Sequence, residues 1–330
     1  MLPPLPELLD SARIVALPLA ARFRGIDVRE AMLLRGPQGW SEFSPFVEYQ
    51  DAEASVWLAA AIDFGWRAQA SPLRDSIPVN ATLPAVAPQQ VATVLDRFPG
   101  CRTIKVKVAE RGQVLADDVA RVAAARDYVG AAGRIRVDAN GGWSVAEAET
   151  AIRALQDFRL EYVEQPCATV AELSQLRSAL AGEGVLIAAD ESVRKASDPL
   201  AVARAGAADL LVIKAQPLGG IRAALKIVAG AGLRAVVSSA LDTSVGISMG
   251  AHLAAVLPSL DFDCGLGTAA LLAADVTPQP LLPVAGEIPV RPVEVSDALL
   301  DRHAASPERT AWWRERLARC YAHLVAEPVQ

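Results

Sequence analysis

Short β-branched runs recur along most of the chain, each closing on polar or small residues: SIPVNATLPA, TIKVKVA, RIRVDANGG, LEYVEQP, GVLIAADES, DLLVIKAQP, LRAVVSSAL and DFDCGLGT. Between them lie stretches of helical periodicity, among them SVAEAETAIRALQDF, TVAELSQLRSALAG, DPLAVARAGA and GGIRAALKIVAGAG, with Ser144 and Thr169 placed as helix N-caps. The strand ends at Lys107, Asp138, Glu164, Asp190, Lys214 and Ser239 follow one another at roughly 24 to 31 residues, the length of a βα unit that returns to a parallel strand. Units of this kind, one for each run, predict an α/β fold: a (β/α)8-type barrel or a close variant over residues 76–285. Residues 1–75 read differently. Two antiparallel strands joined through RGPQGW and a helix around DAEASVWLAAAIDF predict a separate α+β domain. The tail, 286–330, carries an amphipathic helix in RTAWWRERLARCYAHLV that is expected to pack back on that first domain.

Composition narrows the function. Of 330 residues, 52% are hydrophobic and 21% charged, with a formal net charge of -6, which predicts a folded, mildly acidic protein with no nucleic-acid partner. The longest apolar runs are broken well before about 18 residues and the first residues lack the pattern of a signal peptide, so a cytoplasmic protein with no membrane partner is expected. Whether it is a monomer or a homodimer stays open. The four cysteines are scattered without a CxxC pair, and the three histidines show no HExxH spacing. A metal site in this chain is therefore built mainly of oxygen.

The chemistry is expected at the C-terminal ends of the inward-facing strand positions. Alternation puts Lys105 and Lys107 there on the second strand, Arg136, Asp138 and Asn140 on the third, Tyr162 and Glu164 on the fourth, Asp190 on the fifth and Lys214 on the sixth. A single buried lysine or aspartate at a strand end is more often half of a structural ion pair, and Arg136 reads as such a partner. Six charges in phase on consecutive strands are another matter. Asp138, Glu164 and Asp190 converge on one side of the mouth, and three oxygen ligands suit Mg2+, with Mn2+ next. Lys105 and Lys107 stand four strands from Lys214, on the opposite side of an eight-stranded ring. A carboxylate substrate resting on the metal would have a lysine on each side, one of them placed to take an acidified α-proton.

These motifs, KVK, DANGGW, EQP, ADES and IKAQPLGG, resemble those of the enolase superfamily in its muconate-lactonizing-enzyme-like branch. Within that branch the chain is most similar, nearly end to end, to the actinobacterial o-succinylbenzoate synthase family, through segments such as FRGIDVREAMLLRGPQGWSEFSPFVEY, EQPCATVAEL, SSALDTSVGI and CGLGTAALL. The resemblance implies a (β/α)7β barrel with an α+β capping domain, and a metal-dependent lyase. The implied reaction is the syn dehydration of 2-succinyl-6-hydroxy-2,4-cyclohexadiene-1-carboxylate to o-succinylbenzoate in menaquinone biosynthesis. It makes Lys107 and Lys214 the acid/base pair, Lys105 a stabiliser of the substrate carboxylate, and Asp138, Glu164 and Asp190 the metal ligands. The same constellation also serves N-acylamino-acid racemases and dipeptide epimerases. For the substrate tail, Asn140, Ser238, Ser239, Gly265, Gly267 and Arg24 are candidate contacts. The small residues among them have an equal reading as a packing requirement of tight βα turns, and Arg22 and Arg24 one as shapers of the FRG loop.

Overall fold

The computed structural model describes residues 2–23, 25–194 and 198–326. Near the N-terminus, β1 (Arg13–Phe23), β2 (Ile26–Gly36) and β3 (Gly39–Phe43) form an antiparallel sheet, with Phe23 opposite Ile26 at one turn and Gly36 opposite Gly39 at the next. The Asp51–Trp66 helix follows, and the C-terminal Pro307–Ala326 helix packs against it. Their shared core holds Phe43, Phe46, Trp57, Trp313 and Leu317, and the Trp313 ring stands edge-on to Phe43 at 5.8 Å. Trp313 also donates its indole N–H to Glu30 at 2.9 Å, so its one polar atom is satisfied in the apolar setting.

The chain then enters the parallel sheet. After β4 (Ser76–Pro78) come β5 (Ala81–Leu83), β6 (Thr103–Lys107), β7 (Arg134–Asp138), β8 (Leu160–Glu164), β9 (Leu186–Ala189), β10 (Leu210–Ile213) and β11 (Arg234–Val237). The seven strands β5 to β11 lie side by side in chain order, each pair parallel, while β12 (Glu287–Pro289) returns to pair antiparallel with β4. Helices between the strands bury the outer face, through residues such as Val122, Ile152, Leu173 and Ala224. Strands covered on both faces are expected to be nearly uniformly apolar; β9 and β10 are, and β11 is but for Arg234 at its start, whereas β6, β7 and β8 carry charged residues within them as well as at their C-terminal ends.

The eighth run, DFDCGLGT, is shorter than its pattern predicts. It makes single parallel bridges, Cys264 to Val79 and Gly265 to Ser238, and these close the ring between β11 and the start of β5. A 3-10 turn at Thr268–Leu271 follows at once and ends it. Gly265 is required by the close approach, because a Cβ there would come within 2.5 Å of the Ser238 hydroxyl.

Inside the ring, Tyr162, Ala188, Leu210, Val212, Val236 and Phe262 fill the bore. Arg136 lies among them, fully buried, its guanidinium 4.7 Å from the Tyr162 ring centre and 5.8 Å from that of Phe262. It pairs with Glu161 and donates to Asn80 Oδ1 at 3.1 Å and to the Asp263 carbonyl at 2.6 Å. It is the structural partner the sequence suggested, one inward position below Asp138. No helix among the described residues is long and apolar enough to cross a membrane.

Trp313→Ala should cost about 3–5 kcal/mol, the usual loss for a large buried aromatic, read as a lower urea midpoint in equilibrium unfolding.

Candidate active site

Parallel pairing sets the charged residues in a row. Lys107 lies opposite Asp138 in the β6–β7 ladder, and Asp138 opposite Glu164 in the β7–β8 ladder. Side chains alternate along a strand, so Lys105 shares the face of Lys107 one step deeper. Asp190 is the first residue beyond β9, and Lys214 the first beyond β10. Gln165 anchors this edge: its side-chain carbonyl accepts from the backbone amides of Asp190 at 3.0 Å and Ser192 at 3.1 Å.

The three carboxylates are buried and each is met by cations. Lys105 Nζ is 2.9 Å from Glu164 and 3.2 Å from Asp138. Lys107 donates to Asp138 at 2.5 Å and to Asn140 Oδ1 at 2.6 Å. On the far side, Lys214 donates to Asp190 at 2.5 Å and Arg194 Nε to the same carboxylate at 3.0 Å. Arg194 also pairs with Glu191, which accepts from Asn140 Nδ2 at 3.2 Å. A chain of contacts therefore runs round the mouth from Lys107 to Lys214.

Electrostatics differ sharply along this row. Burial and the charge of Asp138, then that of Asp190, push the Glu164 carboxyl up to about 7 despite Lys105 beside it. Burial also opposes the charge of Asp138, but Lys107 and Lys105 outweigh it and hold that carboxyl well below the usual range. Asp190 is kept at about 2, where Lys214 and Arg194 prevail over burial. Burial pulls the Lys107 ammonium down, only partly offset by Asp138. For Lys105 the balance reverses: Glu164 and Asp138 overcome burial and raise it.

Among the described residues no group of three or more His, Cys, Asp or Glu side chains forms a ready metal cage; ammonium groups lie between these carboxylates instead. The donor set itself fits a hard divalent cation. It offers three buried carboxylates on neighbouring strands, with one still driven toward neutrality by the other two, and neither thiolate nor imidazole. A void of about 30 Å³ is bounded by Lys105, Lys107, Asp138, Asn140, Arg194 and Lys214 among others. It adjoins a larger cavity of about 650 Å³ beneath the β1–β2 turn, and Phe23, Lys107 and Asn140 border both.

Ser238 and Ser239 line the small void, and Asn140 touches both spaces. Ser239 is already engaged, donating to the Gly265 carbonyl at 2.7 Å with Thr268 Oγ1 also at 2.7 Å. Gly265 and Gly267 lie behind that wall. A Cβ at Gly267 would sit 3.0 Å from the Asn80 carbonyl, so for both glycines the geometry favours the packing reading. Arg24 lies outside the described residues, while Arg22 is exposed and pairs with Asp27 at 3.6 Å. Sequence reasoning missed Arg194, which the DESVR segment offers one helical turn after Asp190. It also missed Phe23, Phe46, Tyr49 and Trp57, which reach the void from the N-terminal segment. Tyr49 accepts from Arg194 at 3.3 Å, and no local pattern in the chain marks it.

Two family models match the chain: Enolase N-terminal domain-like over residues 14–65 and Enolase C-terminal domain-like over 89–293. The o-succinylbenzoate synthase of Mycobacterium tuberculosis is 55% identical over 326 residues, covering 98% of either chain. That of Thermobifida fusca is 54% identical over 315 residues, covering 94% of this chain and 96% of its own. Among solved structures, muconate lactonizing enzyme from Pseudomonas fluorescens, complexed with muconolactone, aligns with a TM-score of 0.74 at 22% identity. The alignment covers 89% of this chain and 98% of that one, a likeness of fold.

Arg194→Leu should destabilise the protein by about 3–5 kcal/mol, because it strips a buried partner from Asp190 and Glu191. Urea unfolding of the variant beside the parent measures it.

Proposed function

Since the chain belongs to the o-succinylbenzoate synthase family of the enolase superfamily, we propose that Lys107 and Lys214 divide the work of its dehydration between two sides of the substrate. The protein is a lyase: it removes water from 2-succinyl-6-hydroxy-2,4-cyclohexadiene-1-carboxylate to give o-succinylbenzoate, in menaquinone biosynthesis. The observation that supports this division of labour is the placement of Lys107 and Lys214 on β6 and just beyond β10, facing each other past three buried carboxylates.

In this reading Asp138, Glu164 and Asp190 hold a divalent cation, Mg2+ in first place and Mn2+ next. When bound, the cation serves as a Lewis acid toward the substrate carboxylate and makes the adjacent C–H bond more acidic. Lys107, its ammonium form disfavoured by burial, is the base that removes this α-proton. The resulting electron pair forms a ring double bond as the C–O bond to the β-hydroxyl breaks. The same Lys107 ammonium returns its proton to the leaving oxygen, and water departs. One residue on one face suffices for both transfers, which is what a syn elimination requires. The ring becomes aromatic, so the second step needs little assistance.

Lys214 stays protonated on the opposite face and stabilises the negative charge that develops on the carboxylate. Lys105, bridging Asp138 and Glu164, adds positive charge on the same side as Lys107. Asn140 orients Lys107 through the contact at 2.6 Å. The void between the lysines and the larger cavity beneath the β1–β2 turn together receive the remainder of the substrate.

The decisive assay follows the ultraviolet absorbance of the cyclohexadiene carboxylate with purified protein and Mg2+, then with chelator, beside a panel of N-acylamino acids. Fast, chelator-sensitive loss of absorbance is expected. Slow dehydration with faster racemisation would overturn the substrate and leave the site standing. Lys107→Ala should lower kcat by about 10²–10⁴-fold, the usual worth of a positioned acid/base group; normal turnover in that variant would reject Lys107 as the base. Asp190→Asn should mainly weaken Mg2+ binding, measured by calorimetric titration.

A further inference from the structure

Away from the lysines and the metal-site carboxylates, a second set of buried polar groups joins β3 to the wall of the site. Glu42 is fully buried near the end of that strand. One of its oxygens accepts from Thr243 Oγ1 at 2.5 Å and from the backbone amides of Thr243 and Gly246, each at 3.1 Å; the other accepts from Ser44 Oγ at 2.5 Å. Thr243 is the N-cap of the Ser244–Val256 helix, so a residue of the antiparallel sheet completes the capping of a helix in the barrel layer. Beside it, Asp242 accepts from Gln216 Nε2 at 3.0 Å, and Gln216 Oε1 accepts from the Ser44 amide at 3.3 Å. Arg29 closes the set, donating to the carbonyls of Leu241 at 3.1 Å and Ala240 at 3.3 Å, with its guanidinium 4.4 Å from the Phe46 ring centre.

Two features show that these contacts shape the loop as well as holding it. Leu241 has φ 63°, a conformation that is unfavourable for a non-glycine residue and persists only where surroundings enforce it. At Gly246, a Cβ would meet Asp242 at 2.7 Å, Glu42 at 2.9 Å and Gln216 at 3.0 Å, so the three polar chains close over the helix start without spare room. The loop so fixed, Ser238 to Leu241, and the Phe46 ring both border the void between the lysines.

We propose that Glu42 is a positioning residue for the dehydration: through Thr243 and Ser44 it sets the Ser238–Leu241 wall and the Phe46 ring against the non-reacting part of the substrate. The inference rests on the activity given above. Burial, with Asp242 alongside, pushes the Glu42 carboxyl up to about 7, against which the Ser44 and Thr243 hydroxyls act. Glu42 touches no reacting group, so its loss acts on substrate binding. Asp275 makes the comparison possible: it accepts from Ser244 Oγ at 2.6 Å and caps the same helix, yet shares no hydrogen-bond partner with Glu42.

The test compares steady-state dehydration and thermal melting for Glu42→Gln, Ser44→Ala and Asp275→Asn, with Mg2+ binding followed by calorimetry. Glu42→Gln and Ser44→Ala are expected to raise KM about ten-fold while kcat changes less than about threefold and Mg2+ affinity is kept, the pattern of lost uniform binding. Asp275→Asn should lower the melting temperature and leave KM alone. Ser44→Ala removes only a hydroxyl and keeps the test alive if Glu42→Gln fails to fold. Parental KM in Glu42→Gln and Ser44→Ala, or an equal rise in Asp275→Asn, would overturn the positioning role while the activity stands. A parent protein that does not dehydrate the substrate would remove both.

Discussion

Three like charges buried at the ends of adjacent strands are the constraint around which this molecule is organised. Asp138, Glu164 and Asp190 repel one another in a medium that screens poorly, and without compensation a buried charge of this kind costs several kcal/mol. Lys105, Lys107, Lys214 and Arg194 supply the compensation, each from a position that strand register or a single helical turn dictates. The result is a cluster whose members are individually unfavourable and collectively stable. Its lysines border the void between the strand ends, so the groups that compensate the carboxylates are also those to which the proposed reaction assigns charge and proton transfer.

The N-terminal sheet and the barrel are joined by the same physical logic. Glu42 and Asp242, both buried, are held by hydroxyls, amides and Arg29. Arg29 reaches the loop after β11, and Phe46, Tyr49 and Trp57 reach the void from the same segment. In the proposed reaction the tasks divide: the strand ends carry charge and proton transfer, and the aromatic and polar side chains of the N-terminal segment finish the enclosure.

Much of this was legible in the chain. Period-two alternation ending in a charged residue, repeated at the length of a βα unit, is a long-range pattern built from local rules, and it located Lys105, Lys107, Asp138, Glu164, Asp190 and Lys214 together. What escaped was set by tertiary contact alone. Tyr49 and Phe46 sit in a loop with no periodicity, and only the folding of one sheet over another brings them to the mouth. Arg194 carries no inward strand phase of its own, and only the short turn Glu191–Arg194 brings its guanidinium back onto Asp190 and Glu191. The last barrel strand was overread because DFDCGLGT has strand composition while its glycines serve close packing.

Arg136, packed against Tyr162 and Phe262 below the carboxylates, makes the barrel a cup with a filled base. A bore filled in this way leaves no passage along the barrel axis, so in the proposed reaction substrate, aromatic product and released water all come and go on the side of the strand C-termini.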